Sequence, residues 1–210
     1  MALTMLDHRD PSTRLRAALA AGTAADPDAA NALIARCAVE PDFFVRDMLT
    51  WALARLPAGT TVPLLRAELA SAAPQARSQA LHTLSKIGPA DAGVAFPEAV
   101  ALAGDPEDGV ATAAWRTVVA LAPGPDARRS AARTLATRLG HGGVETRRSL
   151  SRALVALGDE GLAALAAVAA PNDAVRAHIA DTIRLLDDPD SGFAGSMHEA
   201  KRVAALGEHA

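Results

Sequence analysis

Apolar residues recur along this chain at the three- and four-residue spacing of amphipathic helices. The segment PDFFVRDMLTWALARL, which starts at Pro41, shows the spacing clearly, because Val45, Leu49, Leu53 and Leu56 fall on one side of a helix. About a quarter of the residues are alanine, the best helix former, whereas aromatic residues, which favour strands, make up 3%. The pattern therefore predicts an all-α protein.

Six segments of the chain align with one another, which predicts a repeat of about 30 residues. The repeats start near residues 10, 41, 74, 106, 143 and 171. One position in each repeat anchors the alignment: Arg16, Arg46, Arg77, Ala111, Arg147 and Arg176. The columns beside this anchor are mostly apolar and include Leu15 and Leu19 in the first repeat. The residues predicted to be buried between layers are Leu49, Leu84, Leu150 and Ile183.

A second helix is expected to follow the first in each repeat. These second helices are predicted near residues 28–38, 60–71, 91–103, 126–139 and 160–170, with a capping helix near 194–206. One helical pair cannot bury its apolar face alone, but stacked pairs can share a continuous core. The sequence thus predicts a single domain over residues 1–210, a right-handed α-solenoid of about six helical pairs.

The repeated segments resemble HEAT-like repeats of the short type found in phycobilin lyases. The residues that carry the resemblance are PDFFVRDMLTWALARL from Pro41, PQARSQALHTLSKIG from Pro74 and PNDAVRAHIADTIRLL from Pro171, and the likeness covers about residues 10–187. It implies an α-solenoid. The family serves mainly as scaffolds and adaptors, and its branches include partners of cofactor lyases and alkylpurine DNA glycosylases.

Charge and cysteine content favour a cytoplasmic protein. The 21 basic and 24 acidic residues give a formal net charge of −3, so no overall positive field points to nucleic acid or an anionic membrane. The single cysteine, Cys37, cannot form an intramolecular disulfide. The first residues lack the pattern of a signal peptide, and the longest apolar stretch, 162–170, is about half of the ~18 residues that a membrane span needs. We therefore expect no membrane partner.

No spacing of catalytic or metal-binding residues stands out. His198 and Glu199 begin a zinc-protease pattern, but position 202 is arginine, so the second histidine ligand is missing. Cys37 lacks a CxxC partner and is interpreted as a small buried hydrophobic residue. The scattered histidines are expected at the surface: His8, His82, His141, His178 and His209. We accordingly expect a non-catalytic protein without a metal or cofactor.

One stripe of residues changes its character from repeat to repeat, as exposed or partner-binding positions do. In the second repeat it contains Phe44, Met48, Trp51 and Arg55, and the neighbouring repeat contributes Gln79 and His82. Tryptophan, methionine and arginine are enriched at the centres of protein interfaces. These residues are the candidate partner-binding surface. The alternative is that the stripe packs under the helix near 60–71 or under the amino-terminal segment and is structural.

A second candidate is a basic segment between residues 126 and 152. Its arginines could bind phosphate or an acidic partner, or they could pair with acidic residues of adjacent repeats. The candidate residues are Arg128, Arg129, Arg133, Arg147, Arg148 and Arg152.

Two classes of function follow from these features. The favoured class is a non-catalytic scaffold or adaptor that binds a protein partner. The alternative is a DNA-binding or DNA-repair protein similar to HEAT-like alkylpurine glycosylases, with Asp47, Trp51 and Trp115 near the DNA and the arginines of the basic segment on phosphate. A chaperone for a lyase cofactor is a third reading, implied by the resemblance alone.

Overall fold

The computed structural model describes residues 3–188, and within that range the chain is all-helical, with no β-strand. The all-α class expected from the sequence is confirmed. The capping helix expected near 194–206 lies outside the described residues. The α-helices are α1 (Pro11–Ala24), α2 (Ala30–Val39), α3 (Phe43–Arg55), α4 (Ala58–Glu68), α5 (Pro74–Ile87), α6 (Pro89–Ala92), α7 (Phe96–Ala101), α8 (Asp108–Leu121), α9 (Pro125–Ala136), α10 (Val144–Ala156), α11 (Asp159–Ala166) and α12 (Asp173–Asp187).

Several helices begin at side-chain caps that the sequence supplies. Asp10 accepts hydrogen bonds from the backbone N–H groups of Ser12 and Thr13 at the start of α1. Asp42 does the same for Val45 in α3, and Asn172 for Val175 in α12. Each cap satisfies a backbone donor that the first turn of a helix leaves without an intrahelical acceptor.

The chain forms two compact units, Met1–Ala131 and Ala132–Ala210. In the first unit α1 packs against α3, α3 against α5, and α5 against α8. The second helices α2 and α4 pack on the same side against α3 and α5. In the second unit α10 packs against α11 and α12. At each of these contacts, the apolar side of one helix packs against the apolar side of the next.

The predicted core columns are buried almost throughout. Leu49, Leu84 and Leu150 are completely buried, as the sequence predicted. Ile183 is the exception, because it is 47% exposed. It lies on α12, the last helix of the described range, so within residues 3–188 no following helical layer covers it.

Buried hydroxyl groups occupy the positions where neighbouring helices approach closely. The hydroxyl of Thr117 on α8 donates to the carbonyl oxygens of Leu81 (2.9 Å) and Ala113 (2.8 Å). Thr83 on α5 donates to the carbonyl of Gln79, four residues earlier. Because each hydroxyl finds a carbonyl acceptor, these small polar residues are buried without an unsatisfied group.

The first repeat is aligned differently from the sequence prediction. Arg14, not Arg16, occupies the position of Arg46 and Arg77, because all three follow the N-cap residue of their helix by four positions. In each case one guanidinium nitrogen, Nη1, donates to the carbonyl oxygens five and six residues earlier. The shift moves Leu19 from the predicted core to a position where it is 42% exposed.

Buried ion pairs join successive repeats of the first unit. Arg14 donates through Nε and Nη2 to both carboxylate oxygens of Glu40, at 2.7 and 2.6 Å, and Arg36 donates to the same carboxylate at 2.8 Å. Arg77 forms an equivalent two-point pair with Asp105 at 3.0 and 3.1 Å. Glu40 and Asp105 also accept the backbone N–H two residues later. The repeated arrangement fixes where each new helix begins.

The Glu40 carboxylate is held in its charged form. Complete removal from solvent raises its pKa, but the hydrogen bonds from Arg14, Asp42 and Arg36 more than offset this and lower the pKa to about 2. Glu40 is therefore an anion at every physiological pH, and the buried Arg14 guanidinium is never left without its counter-ion.

Candidate functional site

Helix α3 begins with two phenylalanines that point into solvent. Phe43 and Phe44 are 64% and 70% exposed, and their rings meet edge to face with centroids 5.6 Å apart. The guanidinium of Arg46 lies 5.9 Å from the centre of the Phe43 ring. The cap at Asp42 fixes where the helix starts and thereby places both rings on the outside. Exposed aromatic pairs of this kind contribute little to folding.

Trp51 lies two turns further along the same helix and is partly exposed, at 38%. One side of its indole packs directly on Gly22 of α1. Arg55 lies 5.2 Å from the ring centre and donates a 3.2 Å hydrogen bond to the carbonyl oxygen of Gly22. The chain therefore holds the indole in place without enclosing it. Because the indole is partly exposed, Trp51 is not the ordinary core residue that the alternative interpretation required.

Equivalent positions on α1, α5 and α8 continue the surface around Trp51. Leu19 on α1 and His82 on α5 lie nine positions after their N-cap residues, as Trp51 does on α3, and so does Arg116 on α8. We call the solvent side of these four helices the open face. Its residues are Arg16, Leu19, Phe44, Asp47, Trp51, Arg55, His82, Lys86 and Arg116, each of them exposed except the half-buried His82.

The six predicted partner-binding residues do not all share this face. Phe44, Trp51, Arg55 and His82 belong to it, and Met48 is half-buried. Gln79 is half-buried and instead lines a small cavity with Ile34, Cys37 and Leu65, among others. Leu19, which the alignment placed in the core, is on the open face. The Asp10–Pro11 cap is the sequence signal that would have given the correct register.

His82 is affected by the charges of its neighbours. Partial burial is the largest influence and lowers the pKa of His82, and the positive charges of Lys86 and Arg116 lower it further, whereas Asp47 acts in the opposite direction. The imidazole of His82 is therefore expected to be mainly neutral at pH 7. Its neighbourhood is a positively charged part of the molecule.

The basic segment is divided between the two compact units. Arg128 and Arg129 lie in the first and the other four arginines in the second. Arg129 pairs with Asp126 at 3.0 Å, and Arg148 pairs with Glu145 at 2.9 Å. These two ion pairs join residues one turn apart on the same helix, whereas the alternative to phosphate binding was pairing with acidic residues of adjacent repeats. Arg128, Arg133 and Arg152 are exposed, and Arg147 is half-buried.

The second unit contains a pocket of about 340 Å³ between α10 and α12. Its lining residues include Arg147, Arg148, Asp181 and Arg184, and its floor includes Ser151 and His178. His178 is buried, contrary to the expectation that it lies at the surface, because it joins three parts of this unit. Its Nδ1 accepts the Gly140 N–H at 3.0 Å, and its Nε2 faces the carbonyl oxygen of Arg147 at 2.9 Å.

The remaining candidates for chemistry are inert. Burial raises the pKa of the Cys37 thiol to about 12, so it remains protonated and unreactive. Trp115 is buried, and its indole N–H donates to the carbonyl of Ala103 at 2.8 Å, so it cannot meet DNA as the alternative reading required. Across residues 3–188 no three histidine, cysteine or carboxylate side chains gather as metal ligands. None of the helices in that range combines the length and apolar character needed to cross a bilayer.

Comparison with known proteins gives no family. No protein-family model matches the chain, and no curated protein does. Two crystal structures described as engineered proteins of the Northeast Structural Genomics Consortium match 87% of this chain. One is 19% identical with a TM-score of 0.46 over 94% of its length, and the other is 18% identical with a TM-score of 0.47 over 96%. At TM-scores below 0.5, neither match carries an argument about function.

Proposed function

We propose that this protein is a non-catalytic scaffold or adaptor that binds a protein partner through the open face. The observation that carries the proposal is the exposed apolar surface of α1 and α3, formed by Leu19, Phe44 and Trp51 with Phe43 beside them. Folding does not require large apolar side chains at these solvent-facing positions. Contiguous exposed apolar patches on soluble proteins are more often binding sites than accidents, and aromatic residues dominate the energetics of such sites.

We further propose that the helices form HEAT-like repeats stacked as a right-handed α-solenoid. Support comes from the recurring geometry of Arg14, Arg46 and Arg77 behind their N-cap residues. The order in which α1, α3, α5 and α8 pack in the first unit is that of a stacked array. A cytoplasmic location is part of the same proposal, because the single buried free thiol suits a reducing compartment.

Site-specific photocrosslinking tests the binding proposal. A benzophenone amino acid replaces Phe44 in the full chain expressed in its source organism, and a matched variant carries it at Val94, which is also exposed but lies outside the open face. We expect a discrete protein adduct from position 44 and none from position 94. Adding Trp51→Ala to the position-44 variant should reduce the adduct. Equal adducts from both positions, or none from position 44, would contradict the proposal.

The DNA-binding alternative predicts a different result. Crosslinks would then be sensitive to nuclease, and binding of a labelled duplex would weaken steeply as salt rises, because each phosphate contact releases counter-ions. On the scaffold proposal the position-44 adduct resists nuclease, and the duplex shows no saturable binding at physiological salt.

A further inference from the structure

The charged residues of the open face are predominantly positive. Arg16, Arg55, Lys86 and Arg116 are exposed there, and Asp47 is the one carboxylate among the residues that define this face. The chain as a whole carries a formal net charge of −3. The open face is therefore a locally positive surface on a protein whose average charge is negative, and composition alone does not produce it.

The cations are distributed around the apolar residues. The guanidinium of Arg55 lies over the Trp51 ring, and Arg16 lies one turn before Leu19 on α1. Lys86 and Arg116 lie on the far side, around His82, whose pKa they lower. Neither Lys86 nor Arg116 forms an ion pair with another residue of the described range, so their charges are available to a partner.

We propose that the open face binds an acidic protein segment that carries large apolar side chains, most simply an amphipathic helix. This inference rests on the proposed function, because it names the chemistry of the partner at the same face. Phe44, Trp51 and Leu19 receive the apolar side chains, and the surrounding cations receive the carboxylates. Positive patches attract acidic partners and disfavour basic ones, so the charge pattern gives the face its selectivity.

The test uses three synthetic peptides of about 20 residues with the same leucine and phenylalanine positions at helical spacing. The polar positions are filled with glutamate and glutamine in the acidic peptide, lysine and glutamine in the basic one, and serine and glutamine in the neutral one. Each is titrated into the full-length protein, with the anisotropy of the labelled peptide as the measure of affinity. Tryptophan emission reports the place of binding.

The emission signal can be assigned because the two tryptophans differ in environment. Trp115 is buried and hydrogen-bonded, whereas Trp51 is partly exposed. Binding at the open face should shift the emission to shorter wavelength, and Trp51→Phe should abolish the shift. We expect the acidic peptide to bind with this shift, more tightly than the neutral peptide, and the basic peptide to bind most weakly.

Charge reversal provides the decisive comparison. Lys86→Glu combined with Arg116→Glu should lower the affinity for the acidic peptide by about tenfold and raise the affinity for the basic peptide. The matched control, Arg176→Glu, changes an exposed arginine on α12, outside both the open face and the basic segment, and should leave all three affinities unchanged. High salt should narrow the difference between the acidic and neutral peptides, because exposed charges are screened.

Each contrary outcome has a separate meaning. Equal binding of all three peptides with the Trp51 shift overturns the acidic preference and leaves the face as an apolar binding site. Tighter binding of the basic peptide than of the acidic one overturns the inference, because the charge preference is then opposite to the one proposed. Failure of all three to bind also overturns it, whereas the crosslinks from position 44 decide independently whether the face binds a protein at all.

Discussion

Gly22 and Trp51 are in direct contact, and the contact leaves no room for a side chain at residue 22. A Cβ atom there would lie 2.5 Å from Cζ3 of the indole and 2.7 Å from the Cα atom of Ala52. The indole could turn away, but the backbone of α3 cannot. Gly22→Ala should therefore separate α1 from α3 and destabilise the protein by about 1–3 kcal/mol, measured by urea denaturation.

The matched control is Gly59→Ala in α4. A Cβ atom at residue 59 meets nothing within 4 Å, and alanine favours helices more than glycine. This change should leave the stability unchanged or raise it by up to about 1 kcal/mol. Equal effects of the two substitutions would mean that α1 and α3 do not approach as closely as described.

Glu40→Gln should show how much the ion pairs of Glu40 contribute to the free energy of unfolding. The change removes the charge opposite Arg14, and loss of one partner of a buried pair typically costs about 3–5 kcal/mol. The cost should depend on pH. Because the folded protein lowers the pKa of Glu40 to about 2 from an ordinary value of 4.5, the wild type has this stabilisation in full above about pH 4.5 and loses it as the pH falls toward 2.

The difference in unfolding free energy between wild type and Glu40→Gln should consequently narrow between about pH 4.5 and 2. Urea denaturation at a series of pH values measures it. Glu107→Gln, at an exposed position, serves as the control and should change the stability by less than about 0.5 kcal/mol. A difference for Glu40→Gln that stays constant with pH would show that the carboxylate is not the titrating group.

The apolar columns predicted most of the core because positions buried between helices must be apolar or small in every repeat. The prediction was wrong at Ile183 and Leu19, which are not buried in this way. Ile183 lies on the last described helix, and Leu19 was misplaced because Arg16 of α1, rather than Arg14, was aligned with Arg46. The buried pairing of Arg14 with Glu40 was not predicted either, since a carboxylate 26 residues away carries no local signal.

Leu49 and Ile183 were both predicted to be buried between layers, but they should respond differently to truncation. Leu49→Ala removes a completely buried side chain and should cost about 2–5 kcal/mol. Ile183→Ala removes one that is 47% exposed and should cost less than about 1 kcal/mol. Thermal and urea unfolding of the two variants give the comparison. A larger loss for Ile183→Ala would show that further residues cover this position.

The candidate site was predictable in part from the variation along one helical stripe. That variation identified Phe44 and Trp51, whose exposure agrees with it, because positions without packing constraints are free to differ between repeats. It could not exclude Gln79, which lies at the edge of the same stripe but lines a small cavity against α2 and α4. It also could not show that Lys86 and Arg116 both lie near His82, since these two cations come from different helices.

Stability measurements should separate Phe44 from Trp51 even without a partner. Phe44→Ser removes a 70% exposed ring and should change the unfolding free energy by less than about 0.5 kcal/mol. Trp51→Ala loses the contact with Gly22 and the stacking with Arg55, and we expect a cost of about 1–2 kcal/mol. Urea denaturation distinguishes the two. A loss of several kcal/mol from Phe44→Ser would place that ring in the core and contradict the open face.

The second unit should lose stability on mild acidification, because His178 must remain neutral in the folded protein. Its Nδ1 accepts the Gly140 N–H, and a proton on that nitrogen would face the amide hydrogen. Burial is the main reason why the pKa of His178 is lowered from 6.5. The unfolded chain therefore takes up the proton first, and stability falls as the pH drops below about 6.5 until the folded form is protonated in turn.

NMR provides a local readout of this loss. The ring signals of His178 should titrate below pH 6.5, the ordinary value, and the Gly140 amide should shift in the same pH range and exchange faster with solvent. His178→Gln should abolish this pH-dependent step at Gly140, whereas His141→Gln, at an exposed residue next to Gly140, should leave it in place. A Gly140 amide that responds identically in both variants would show that its hydrogen bond to His178 does not control the titration.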